Sequence, residues 1–231
     1  MNNKLFYKLS NLVLFILFAL FSLSHSTLYA GTTVYNANWE SLNFNGTGTS
    51  GADNNFWNII GNGKNDGDVV RFNHVITIDG QAIDAVVTTS LNNANVSTFD
   101  STSNPSKVSE YFQPLLSVTS AGGGATFNID FYKGGTYIGE GTGIAVTLHN
   151  IVINSYDIDG AGSRYTDRQY QDFKGFRQYE LAESTYLVPE VLADGSVRFQ
   201  YTASSGVNST KLTSDEYRIR VYYDSIVSFN G

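Results

Sequence analysis

Residues 69 to 90 contain two strand-forming runs, VVRFNHVITI and QAIDAVVTTS, on either side of Asp79-Gly80. An Asp-Gly pair accepts the positive φ angles of a two-residue type I′ turn, whose twist matches that of paired strands, so this stretch predicts an antiparallel hairpin. The rest of the chain follows the same grammar. ATFNIDFYK sets Phe127, Ile129 and Phe131 on one face and Asn128, Asp130 and Tyr132 on the other. With Gly134-Gly135 and the following TYIGE it predicts a second hairpin. IAVTLHNIVI, Ile144 to Ile153, is nearly continuous in apolar residues, as in a central strand buried on both faces. VRFQYTA directs Val197, Phe199 and Tyr201 inward, and EYRIRVYYDSIVSF alternates Tyr217, Ile219, Val221 and Tyr223 against Arg218, Arg220 and Tyr222. No segment after residue 30 keeps apolar residues at helical spacing for three turns, and no fixed repeat is visible. The pattern predicts an all-β fold, an antiparallel β-sandwich of jelly-roll type.

The first residues follow a different rule. Lys4 and Lys8 precede the apolar run LVLFILFALFSL, and small residues follow it, which is the layout of a secretory signal peptide spanning residues 1–30. The run is short for a bilayer span, so a segment removed on export is expected rather than a membrane anchor. The remaining residues 31–231 are of a size common for one β-sandwich domain. Removal of Lys4 and Lys8, with no acidic residue before Glu40, takes the net charge from −7 to −9. That balance argues against nucleic acid as a partner. The chain has no cysteine, so an exported protein of this sequence takes its stability from its core, to which 15 Tyr, 15 Phe and 2 Trp contribute.

The most acidic turn is NSYDIDGAGSRYTD, residues 154 to 167. Asp157 and Asp159 are one residue apart, and Gly160 lets the chain turn back behind them. Hard cations require several oxygens at short range, and Asn154, Asp157, Asp159 and Asp167 form a candidate calcium set, with Asp172 as a further oxygen source. The competing reading is an Asp-Gly turn whose side chains bond their own backbone. The motif is similar to the D-x-D-G loops of extracellular calcium-binding repeats such as thrombospondin type 3. It departs from the EF-hand, because Arg168 stands where that loop requires Glu. GNGKNDGD, Gly61 to Asp68, is a second oxygen-rich turn; Asp66 and Asp68 offer a second, weaker cation site, but composition favours an ordinary loop.

Catalytic signatures are sparse. His74 and His149 sit inside strand patterns, there is no Gly-x-Ser-x-Gly elbow, and carboxylate pairs such as Asp130 with Glu140, or Glu180 with Glu183, occur in any acidic chain. Trp39, Tyr165, Tyr170 and Tyr179 stand among polar, loop-like residues and are candidate ligand-binding rings, since an aromatic side chain offers an apolar face beside a polar edge. Trp57, in NNFWNII, reads as a core residue.

In its strand, turn and D-x-D-G style the chain from Gly31 to Gly231 resembles the extracellular β-sandwich modules of secreted bacterial surface and adhesin-like proteins. The resemblance implies a secreted, non-enzymatic module, stabilised by calcium, that binds a glycan or a surface protein and has no transmembrane segment in its mature form. Two alternatives stay open on the residues alone: an exported polysaccharide-degrading enzyme of jelly-roll type, and a structural surface subunit.

Overall fold

A computed structural model describes residues 33–45, 56–100, 110–160, 168–203 and 214–230. The sequence-predicted signal segment, Tyr165 and Asp167 lie outside the described residues.

The fold is all-β. Among the described residues fourteen strands run in chain order: β1 (Thr33–Asn36), β2 (Trp57–Ile60), β3 (Val69–Ile78), β4 (Gln81–Asn92), β5 (Ala94–Thr98), β6 (Leu115–Val118), β7 (Gly124–Lys133), β8 (Val146–Ser155), β9 (Tyr170–Phe173), β10 (Gln178–Glu180), β11 (Leu187–Val191), β12 (Val197–Tyr201), β13 (Ile219–Ile226) and β14 (Ser228–Asn230). One 3₁₀ turn, Asp215–Tyr217, precedes β13, and no α-helix occurs among the described residues. Nor is any helix there long and apolar enough to cross a membrane.

The strands form a five-stranded sheet in the order β14-β7-β4-β3-β2 and a four-stranded sheet in the order β1-β8-β13-β10. A three-stranded sheet, β11-β12-β9, and a two-stranded one, β5-β6, complete the set. The inner faces of these sheets meet in one apolar core, the arrangement of a β-sandwich. Val70, Phe72, Ile83, Ala85, Val87, Ile129 and Phe131 come from the five-stranded sheet, Leu148, Ile151, Ile219, Val221 and Tyr223 from the four-stranded sheet, and Phe173 and Phe199 from the three-stranded one. Edge-to-face contacts among Phe44, Phe56, Phe72 and Phe99 and their neighbours fill one end of it.

The Asp79-Gly80 hairpin forms as the sequence predicts, with φ of 51° and 75° at its two turn residues. Three expectations are corrected. First, the pairing is not wholly antiparallel, because β1 joins β8 in parallel. Second, β7 makes no hairpin with TYIGE. Its partners are β4 and β14, and the chain from Gly134 to Ala145 runs as turns that return only through a bridge between Tyr132 and Ala145. The alternation in ATFNIDFYK was visible locally, whereas its long-range partners were not. Third, β8 is not buried on both faces throughout: Val146, Thr147, Leu148 and Ile151 are buried, whereas Val152 and Asn154, on the side away from the core, are half-buried.

One buried carboxylate holds an irregularity of the larger sheet in place. Between Phe72 and Ile76 the β3–β4 register shifts, and His74 adopts a φ of 54°. Asp84, on the facing strand and fully buried, accepts the His74 N–H at 3.0 Å and the Gly135 N–H at 2.7 Å, and lies 3.7 Å from the Arg71 guanidinium. Arg71 in turn donates to the Tyr137 carbonyl, so the bulge and the turn segment after β7 share one anchor. Removing one partner of a buried pair leaves the other uncompensated. Asp84→Ala is therefore expected to lower unfolding free energy by about 3 kcal/mol in urea titration, with a smaller loss for Asp84→Asn. A loss for Asp84→Ala no larger than that of a surface substitution would contradict this role.

Candidate functional site

Alternation along β13 decides what the four-stranded sheet shows to solvent. Ile219, Val221 and Tyr223 face the core, so Arg220 and Tyr222 face out. Register then sets their neighbours. Asn154 on β8 and Glu180 on β10 flank Arg220, while Val152 and Gln178 flank Tyr222. Arg220 donates from Nε to Asn154 Oδ1 at 2.7 Å and from a terminal nitrogen to Glu180 Oε2 at 3.3 Å. It also bonds to the Tyr222 side chain, and this bond, with Glu180 and Tyr156 nearby, raises the guanidinium pKa. The result is a linked polar row across three strands, carrying both donors and acceptors.

Aromatic rings frame the row. Trp39 packs edge-on to Tyr222, with centroids 5.6 Å apart and planes at 70°. At the other end the Arg218 guanidinium lies 6.0 Å from the Tyr156 ring, which stacks in parallel with Tyr111 at 6.1 Å.

Trp39 reaches this position through an unusual turn. Ala37 N–H donates to the His149 carbonyl and Trp39 N–H to the Asn150 carbonyl, continuing the line of β1 along β8. The Asn36 side chain accepts from both the Asn38 N–H and the Asn150 side chain, each at 2.9 Å. Asn38 and Trp39 lie at φ of 51° and 64°. Asn visits this left-handed region easily, but for a bulky aromatic it costs on the order of 1 kcal/mol. The strained turn leaves Trp39 38% exposed beside Tyr222.

The acidic turn lies just beyond the end of β8. Asp157, at φ 64°, is exposed as a residue, whereas Asp159 is fully buried. The Asp159 carbonyl accepts the Gln169 N–H at 2.9 Å, and a bridge between Gly160 and Arg168 closes the base of the loop that they flank. Gly160 is dictated by packing: a β-carbon there would fall 2.7 Å from the Tyr201 ring. Although Asp157 is exposed as a whole, its carboxyl group is partly withdrawn from water. That desolvation, together with the charge of Asp159, pushes it up to about 6.

Of the calcium set, Asp157 and Asp159 stand together, Asn154 Oδ1 is engaged by Arg220, and Asp167 lies outside the described residues. Asp172 makes a two-point bond to Arg198, at 2.9 and 2.8 Å. The GNGKNDGD turn is closed on itself. Asp68 Oδ2 accepts the N–H groups of Asn62, Lys64 and Asn65, each at 3.0 Å, and Asp66 accepts the Leu91 N–H. Among the described residues no group of three or more His, Cys, Asp or Glu is placed to hold a metal ion.

Of the sequence-predicted rings, Trp39 lies on the open face. Tyr179 turns toward the core side, 5.0 Å from Phe199, and remains 42% exposed at the sheet edge. Tyr170 carries the Arg198 guanidinium 3.8 Å from its ring centre. Trp57, read as core, is instead 45% exposed, because β2 is an edge strand and Trp57 pairs with Arg71, whose side chain lies opposite the buried Val70 and Phe72. Sequence reasoning did not assign Asn154, Glu180, Arg220 and Tyr222 to one face of a sheet. The signal for half of it was present in the alternation of β13; the register that adds Asn154 and Glu180 was not.

No protein-family model matches the chain, and no curated protein matches it. Among solved structures, the N-terminal domain of the Streptococcus gordonii adhesin Sgo0707 is similar at a TM-score of 0.41 and 10% identity, over 71% of this chain and 42% of that one. The chain thus spans less than half of that structure's length, and a likeness of this degree carries no argument.

The Asp157 shift has a pH consequence. Its carboxyl binds a proton more tightly in the folded chain, about 6, than at the ordinary 3.8, so folding is favoured by acid. The cost of ionising Asp157 is absent below about pH 4 and fully felt above about pH 6. In chelator-treated protein, Asp157→Asn is expected to raise the melting temperature at neutral pH and to leave it unchanged near pH 4. An equal effect at both pH values would contradict the assignment.

Proposed function

We propose that this chain is an exported, non-enzymatic β-sandwich module that binds a glycan at a bacterial cell surface through the open face of its four-stranded sheet. The observation that carries the reading is Trp39, held solvent-exposed at a left-handed φ of 64° beside Tyr222. Backbone strain of this kind persists where the surroundings enforce it and concentrates at ligand-binding positions. Sugar rings present apolar C–H faces and a rim of hydroxyls that both donate and accept. Trp39 and Tyr222 suit the first, and the Asn154–Arg220–Glu180 row suits the second. Export is supported by the residue pattern of positions 1–30, a basic start followed by an apolar run and small residues.

A calcium ion at the Asp157–Asp159 turn is the second part of the proposal. Support comes from the mutual repulsion of the two carboxylates, which a divalent cation between them would relieve. Oxygens beyond these two would come from main-chain carbonyls or from Asp167, since Asn154 is held by Arg220.

Two experiments test the proposal. In a Trp57→Phe background, Trp39 is the sole indole, and its fluorescence is expected to change on addition of bound glycans identified by array screening. Trp39→Ala should weaken binding at least tenfold, about 1.4 kcal/mol. Unchanged affinity in that variant would contradict the placement of the site. For the metal, calcium should raise the melting temperature, and Asp159→Ala or Asp157→Asn should abolish the rise. No response of the wild type to calcium or to a chelator would overturn that part.

A further inference from the structure

We infer that the open face selects uncharged glycans and rejects those carrying carboxylate, sulfate or phosphate groups; the inference rests on the glycan-binding reading above. The chain has seven arginines, and six of them fall between residues 164 and 220, which at first sight marks this half of the protein for an anionic ligand. Among the described residues four of the six are held by carboxylates; Arg168 makes no ion pair with a described residue, and Arg164 lies outside them. Arg220 is bonded to Glu180 at 3.3 Å, Arg218 to Asp215 at 3.1 Å, and Arg177, beside β10, to Asp224 at 3.0 Å. Each of these three guanidinium groups has its own carboxylate.

Three further charges beside the aromatic rings have the opposite sign. Glu40 follows Trp39, Asp157 follows Tyr156, and Glu110 precedes Tyr111, whose phenol is held above the ordinary value by burial and, to a lesser degree, by Tyr156 and Glu110. Among the described residues none of these three acids has an ion-pair partner within reach. An approaching polyanion would meet the guanidinium groups of Arg177, Arg218 and Arg220 already paired, a rim of acids and a chain of net charge −7. To gain Arg220 it would have to displace Glu180 and leave that carboxylate unpaired.

A neutral sugar faces none of these costs. The ion pairs hold the Arg220 and Glu180 side chains in place before any ligand arrives, so that hydroxyl groups find donors and acceptors already oriented. Arginine here acts as a positioning and hydrogen-bonding group, and its charge is cancelled locally.

The test compares neutral, uronate-containing, sulfated and amino-bearing polysaccharides for binding to the full chain, at low and high salt (about 0.05 and 0.5 M). Binding confined to neutral polymers, with affinity changing less than twofold between the two salts, is the expected result. Glu180→Gln leaves Arg220 without its counter-charge, and this variant is expected to gain at least threefold in binding of dextran sulfate. Wild-type preference for uronate, sulfated or amino polymers, or steep loss of affinity with salt, would overturn the inference and leave the glycan-binding reading intact. Failure of every class to bind would remove that reading and the inference with it.

Discussion

The burial of Ile219, Val221 and Tyr223 is the constraint on which the outer surface of the protein depends. These side chains seal the core against the larger sheet, and a strand cannot turn them inward without turning Arg220 and Tyr222 out. A slip of one residue would bury the guanidinium and expose three apolar side chains, so the register of β13 is fixed by the whole core. Through that register the core also fixes Asn154 and Glu180 on either side of Arg220. The proposed binding face is the reverse side of the packing that stabilises the fold, and it inherits the rigidity of a central strand.

Carboxylates in this cysteine-free chain are used largely as internal fasteners. Asp84 pins a bulge and a distant turn, Asp68 closes its own loop on three backbone N–H groups, and Asp172 grips Arg198. A buried carboxylate that accepts several N–H groups satisfies donors that a turn would otherwise leave unpaired. The Asp157–Asp159 turn differs from these. Its two carboxylates act against each other, and the turn is shaped by the Tyr201 ring packed on Gly160 and by Gln169 at its base. It is thus the acidic segment whose electrostatics leave something for a cation to relieve.

Local pattern made much of this legible. The Asp-Gly hairpin, the inward faces of β7, β12 and β13, and the all-β class follow from period-two alternation and turn chemistry, which act over a few residues. Long-range partnerships are not written that way. Nothing in TTVYNANWE announces a parallel strand against β8, and nothing near Asp172 announces Arg198. TYIGE has the composition of a strand, yet its glycine-rich surroundings run as turns. Trp57 reads as core because large rings usually are, but its place on an edge strand exposes it. For the site, Trp39 was visible as a ring among polar residues. Its strained φ and its contact with Tyr222 required the fold, as did the arrangement by which Arg220 takes the Asn154 oxygen away from any cation.

The central claim, that the open face of β1-β8-β13-β10 is the binding surface, is tested most directly by NMR shift mapping on isotopically labelled protein titrated with a neutral oligosaccharide that it binds. The account predicts that perturbed resonances cluster on Trp39, Asn154, Glu180, Arg220 and Tyr222, with the outer face of the five-stranded sheet unaffected. Perturbations centred instead on Trp57 and Asp130, or on the β11-β12-β9 sheet around Tyr170, would contradict it.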